Sequence, residues 1–291
     1  MLAVRLTWLA AALIAVAGCG RSKAPPHPAP TATHSPAPQP ALCGRLSSDV
    51  LGRVTGPTEL SGLVLARGRF WTLNDSGGTP QVFAIDRDGE LTQTVTLAGA
   101  TNVDWEDIAA RGPTLYVGDI GDNLARRESI AVYRLAAPPP GTTTATATRI
   151  DLRYPDQPHD AETLLVDPRT GTLAVVTKHY GGLARVYVGR KGTLKLAAKL
   201  QLGLGEALTG GDVSADGATV ALRSYDRVFI WPRRPGETLA RAFKRKPCTA
   251  PVNLIAEGQG EALALAPNGR AFYTIPEGEN PALRRYAPPE K

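Results

Sequence analysis

The chain has 291 residues, 43% of them apolar, and a formal charge of +6. That is enough apolar material for a sizeable core in one large domain or two. The positive charges are scattered apart from Arg241, Lys244, Arg245 and Lys246, and no aromatic stacking motif accompanies them, which excludes nucleic acid as the partner class.

Arg5 opens a short basic region, and Leu6 to Ala17 is an apolar run of about a dozen residues, too short to span a bilayer and right for an export signal. It ends Val16-Ala17-Gly18-Cys19, which resembles the bacterial lipoprotein signal. That resemblance implies cleavage after residue 18 and fatty acylation of Cys19, giving a membrane-anchored, extracytoplasmic protein; ordinary secretion, with a cut after Ala15-Val16-Ala17, is the other reading. Residues 19–42 are rich in Pro and Ala and read as an extended linker, with His27 and His34 as solvated linker residues. With Cys19 lipidated, Cys43 and Cys248 remain as a pair. In an oxidising compartment an even remainder reads as a disulfide, against the alternative of two buried thiols.

Residues 43–291 read as repeats of one pattern: an apolar strand, a glycine turn and a second apolar strand. The turn glycines are Gly68, Gly112, Gly171, Gly217 and Gly269. A third strand follows each pair (Val82–Ile85, Ala131–Leu135, Val186–Val188, Val228–Trp231, Leu283–Tyr286), and most units add a fourth (Leu91–Leu97, Arg149–Tyr154, Leu194–Leu202). Four short strands recurring roughly every 45 to 60 residues predict an all-β fold, a β-propeller of five four-stranded blades, with six as the alternative cut. The last unit lacks its outer strand, so Leu46 to Val54 is predicted to supply it and close the ring. The outer strand of the fourth unit is expected near Val252 to Ala256, beside Cys248, with one short helix within Glu237 to Lys246.

Propeller topology sends the loop entering each inner strand and the loop leaving each second strand to one rim. The most acidic stretch, Asn102 to Asn123, places Asp104, Glu106, Asp107, Asp119 and Asp122 there. Other units add Asp75, Asp160, Glu162 and Glu261, with Lys178, His179, Asp212, Asp226 and Glu277. Glu106, Glu162 and Glu261 occupy equivalent positions, matched by Ser61 in the first unit and Gly211 in the fourth. Carboxylates gathered so closely need compensation. Hard oxygen ligands at that density suit Ca²⁺ better than Zn²⁺; solvated carboxylates and strand caps are the alternative. The pattern matches no EF-hand loop. His159 and His179 both fall on the third unit's upper loops, so with Glu162 they are the candidate catalytic groups. No nucleophile elbow and no HExxH helix is present, so enzymatic activity stays open. Ser76 reads as a turn residue and Trp105 as inter-blade packing rather than a stacking platform for a sugar.

The runs DWEDIA, YVGDIGDN, HDAETLLVDPRTG and GEALALAPNG, spread over residues 58–287, resemble a group of secreted bacterial β-propellers grouped with WD40-like and phytase-like esterase propellers. Phytase-like members imply calcium held by mouth carboxylates and phosphate-ester hydrolysis, with Asp104, Glu106, Asp119, Glu162 and Glu261 in those parts. The dense basic phosphate-binding set of such members is missing; only Lys178 and Arg223 are candidates. The expectation is therefore a lipid-anchored propeller binding a small-molecule or protein ligand through its acidic rim. A calcium-dependent hydrolase and an envelope scaffold are the alternatives.

Overall fold

The computed structural model describes residues 40–75 and 77–290. The export signal, Cys19, most of the linker and Ser76 lie outside these residues. No helix among the described residues is long and apolar enough to cross a membrane.

Each of the five predicted turn glycines has a positive φ, between 55° and 79°. An L-residue pays a steric cost in that region, and tight hairpins need it. The hairpins they close are the inner and second strands of five blades: Leu60–Ala66 with Arg69–Asn74, Trp105–Arg111 with Thr114–Asp119, Ala161–Val166 with Leu173–Thr177, Leu208–Val213 with Thr219–Ser224, and Gly260–Leu265 with Phe272–Pro276. Third strands follow at Gln81–Ile85, Ile130–Ala136, Leu183–Gly189, Val228–Pro232 and Ala282–Ala287. Outer strands of blades 1 to 3 are Leu91–Ala98, Thr148–Arg153 and Lys195–Gln201. The inner strands contact one another in a closed ring, so the architecture is a five-bladed β-propeller and the six-bladed cut is excluded.

Closure is circular, as expected. Ser47–Arg53 pairs antiparallel with Ala282–Ala287 as the outer strand of blade 5. The outer strand of blade 4 differs from expectation. It is the two-residue segment Cys248–Thr249, paired with Phe229 and Ile230, while the chain beyond it leaves the sheet. Cys43 and Cys248 form a disulfide, with Cα atoms 5.9 Å apart, that ties the closing segment to blade 4. The helix between them is one turn, Leu239–Ala242, capped by Thr238. Two further strands escaped the sequence reading: Thr144–Thr146 runs parallel to the outer strand of blade 1, and Gly192–Thr193 parallel to that of blade 2. Each comes from a neighbouring blade and fastens the two together. Their Thr, Ala and Gly carry no apolar alternation to reveal them.

The inner strands of blades 3, 4 and 5 are buried at every position. They face neighbours on both sides, so they read as continuous apolar and small-residue runs. Trp105 is fully buried against Tyr133, with its indole N–H on Thr101 O at 2.9 Å; it is packing, not a platform.

Candidate functional site in the propeller mouth

Every inner strand carries one β-bulge at the same height. The ladder skips a single residue in each blade: Gly62, Glu106, Glu162, Thr209 and Glu261. A bulge leaves one residue unpaired and re-aims its side chain. Three of the five are therefore glutamates turned out of the ladder at the channel mouth. Ser61 and Gly211, the sequence-based equivalents, sit one residue before and two residues after the true ones. A second ring comes from the residue just past each second strand: Asp75, Ile120, Lys178, Tyr225 and Glu277. In three blades one more backbone bond, from Asp75, Lys178 or Glu277 N to Glu59, Asp160 or Gln259 O, fixes that residue over the mouth.

The resulting cavity of about 480 Å³ is lined by Asp75, Glu106, Glu162, Lys178, Tyr225 and Glu261, with Asn123, Tyr180 and Gln259. Glu106, Glu162 and Glu261 are each 3% exposed or less. Lys178 Nζ lies 2.6 Å from Glu162 Oε1 and over the rings of Tyr225 and Tyr180, at 5.5 and 5.9 Å. The Tyr225 hydroxyl donates to Glu261 Oε1 at 3.3 Å. The other carboxylate oxygens of Glu162 and Glu261 are buried and have no protein partner.

Two groups of carboxylates offer oxygens within 4.8 Å of one another: Asp75, Asp104 and Glu106, and Asp75, Glu261 and Glu277. Gly121 makes the first possible, because a Cβ there would collide with Glu106 Oε1 and Asp104 Oδ2. Burial raises the Glu106 carboxyl well above the usual range, reinforced by Glu162, Asp75 and Asp104. Burial, then the Asp75 charge, lifts Asp104 to about 6; burial, then Glu261, lifts Glu277 to about 8. Burial also raises Glu162, with Lys178 opposing it. For Lys178, burial alone lowers its pKa, but Glu162 outweighs it and holds the ammonium charged.

The remaining predicted residues fall elsewhere. Asp107 is not in the mouth. It follows the bulge, is fully buried, and accepts from Ile108 N and Leu164 N, both at 2.8 Å, linking the inner strands of blades 2 and 3. Asp212 lines a cavity at the opposite end of the channel and links blades 4 and 5 likewise, through Val213 N and Leu265 N. Asp119 accepts from Asp104 N and from Arg127, and Asp122 caps the turn through Arg126 N and Arg127 N. Asp160 accepts from Asp122 N at 3.0 Å. These three shape the loop beneath Asp104. His159 and His179 border a separate cavity of about 370 Å³ on blade 3, with Lys178 between it and the mouth. His159 Nε2 is engaged with Tyr187 Oη and Asp156, at 2.7 and 3.1 Å, and His179 Nδ1 accepts from Gly181 N. Arg223 is fully buried between blades 4 and 5, donating to Ala262 O, with Glu257 at 3.6 Å. It therefore does not face a ligand. Tyr225, Tyr180 and Gln259 escaped the sequence reading. Counting one residue past each second strand finds Tyr225.

No protein-family model matches the chain, and no curated protein does. Among solved structures it is similar to the PQQ-bound form of an aldose sugar dehydrogenase from Streptomyces coelicolor, with a TM-score of 0.51 at 11% identity over 84% of this chain and 98% of that one. It is also similar to a gluconolactonase from Xanthomonas campestris, with a TM-score of 0.47 at 15% identity over 86% of this chain and 92% of that one. At 11% identity the likeness to the dehydrogenase is one of fold alone.

Proposed function

We propose that the chain is a lipid-anchored extracytoplasmic propeller that binds a polar ligand or a protein partner in its acidic mouth, with a calcium ion held by the mouth carboxylates. The observation that carries this reading is the set of three bulges that aim Glu106, Glu162 and Glu261 into one cavity. There, one oxygen each of Glu162 and Glu261 is buried without a protein partner. Buried polar atoms are normally satisfied, so these ask for a ligand, an ion or water.

The donor set fits calcium. Ca–O bonds of about 2.3–2.6 Å allow two oxygens on one ion to lie up to about 5 Å apart, and both carboxylate groups meet that span. The lining residues offer carboxylate, amide and phenol oxygens and no thiolate or imidazole. Asp75, Asp104 and Glu106, or Asp75, Glu261 and Glu277, would hold the ion, which would supply a positive charge for ligand oxygens. Lys178, Tyr225 and Gln259 orient the ligand from the other side. With Arg223 buried, Lys178 is, among the described residues, the one basic residue lining the mouth, and it is already paired. That favours binding over phosphate-ester hydrolysis.

Calcium is expected to raise the melting temperature, by about 2.7 kcal/mol of stabilisation at a hundredfold excess over Kd. Glu106→Gln should weaken this effect, whereas Glu90→Gln, on an exposed turn at the opposite face, should not. An unchanged wild-type melting temperature together with no calorimetric heat at millimolar calcium defeats the metal reading. The anchor rests on Cys19 after Val16-Ala17-Gly18; Cys19→Ser should release the protein from membranes, and a variant that stays bound after washing rules the lipid out.

A further inference from the structure

The face opposite the mouth carries arginines of two kinds. On blades 2 to 4 they hold the hairpins together. Arg111 donates to Pro168 O, Arg169 to Arg234 O and Asp216 O, and Arg233 forms a buried two-bond pair with Asp167 at 3.0 Å. At the seam of blades 5 and 1 the pattern breaks. Among the described residues, the guanidinium groups of Arg67, Arg87 and Arg270 make no hydrogen bond or ion pair, and Arg285 has only a 3.5 Å contact with exposed Asp49.

These four arginines line two cavities that share Leu65, Arg87 and Pro267. One, of about 230 Å³, lies at the lower end of the channel; the other, of about 670 Å³, lies between blades 5 and 1. Together they form one groove with an apolar floor of Leu65, Ala266, Ala271 and Tyr273. Two acids border it. Asp212 has both oxygens engaged by backbone N–H groups, and Glu290 lies at the outer end. Arg67 itself has φ +51° at the first position of a two-residue hairpin turn. Asn or Gly is the unstrained choice there, so an arginine in that conformation is strained without local gain, and its side chain extends from the turn.

We propose that this groove docks an extended acidic segment of a partner protein, its carboxylates on Arg67, Arg87 and Arg270 and its apolar side chains on the floor. The planar guanidinium fork matches a carboxylate with two parallel bonds. The concave apolar floor suits an inserted chain rather than a flat lipid surface. The groove shares no lining residue with the mouth.

The test is fluorescence anisotropy of the full chain with a labelled peptide alternating glutamate and leucine. Binding at low salt that weakens as salt rises is expected, with the lysine–leucine counterpart inert. The triple variant Arg67→Ser, Arg87→Ser, Arg270→Ser should weaken binding about tenfold or more, while melting cooperatively like the wild type. Arg241→Ser, which removes one positive charge from the short helix, should leave binding unchanged, whereas Arg67→Ser alone should weaken it. Equal binding by the triple variant or by the lysine peptide overturns the proposal. So does binding to phosphatidylglycerol vesicles without binding to the acidic peptide, which would assign the surface to a membrane.

Discussion

Glu162 and Lys178 show how one pair controls the mouth. Both side chains are under 10% exposed and their charged atoms are 2.6 Å apart. A buried pair adds little net stability, but removing one partner leaves an uncompensated charge. Lys178→Met should therefore destabilise the protein by about 3–5 kcal/mol at alkaline pH, above the raised Glu162 pKa of about 8, and adding Glu162→Gln should recover most of the loss. Urea titrations of the two variants check this. A double variant no more stable than Lys178→Met would show that the lysine acts through packing on Tyr180 and Tyr225 instead.

At the scale of strands, the inner edge of each blade has N–H groups facing its neighbours. Asp107 and Asp212 each accept one from their own strand and one from the next blade. Burial lifts Asp212 to about 7, against the two backbone bonds that lower it. A carboxyl whose pKa is raised on folding contributes stability in full below its unfolded pKa of about 3.9 and loses it as pH rises through the folded value. Wild-type stability should thus fall between about pH 4 and pH 7, and Asp212→Asn should flatten that fall. Melting curves across this range in a chelating buffer provide the measurement. An identical slope in the variant would mean the carboxyl stays ionised. Asp107→Ala should cost about 1–3 kcal/mol for each N–H left without an acceptor.

Over the whole molecule, stability depends on holding the ring shut. The closing strand Ser47–Arg53 is separated from its partner by most of the chain, and the Cys43–Cys248 bridge, 205 residues apart in sequence, secures the segment that leads into it. In the chain-entropy model a loop of that length stabilises by roughly 5 kcal/mol. Reduction, or Cys43→Ser with Cys248→Ser, should lower stability by up to that amount. It should also speed hydrogen exchange first in Ser47–Arg53 and Ala282–Ala287, because these lose their tether while the hairpins keep theirs. Uniform exchange across all blades would contradict this.

The inner, second and third strands of every blade, the five turn glycines, the closing strand and the cysteine pair were legible in the chain, because each rests on a local pattern: alternation, a glycine where φ must be positive, parity of thiols; the outer strand of blade 4 and the two short parallel strands were not. The acidic rim was legible only as a neighbourhood. Asp107 and Glu106 are adjacent in sequence, yet one lies between blades and the other in the mouth. Side chains on a strand alternate faces, so a single inserted residue reverses which carboxylate faces where. No local pattern marks the bulges at Gly62, Glu106, Glu162, Thr209 and Glu261; packing of each inner strand against two neighbours places them. The same packing decides that Arg223 is buried while Arg67 lies exposed at the base. Composition set how many charges the molecule has, and tertiary structure decided which of them a ligand can reach.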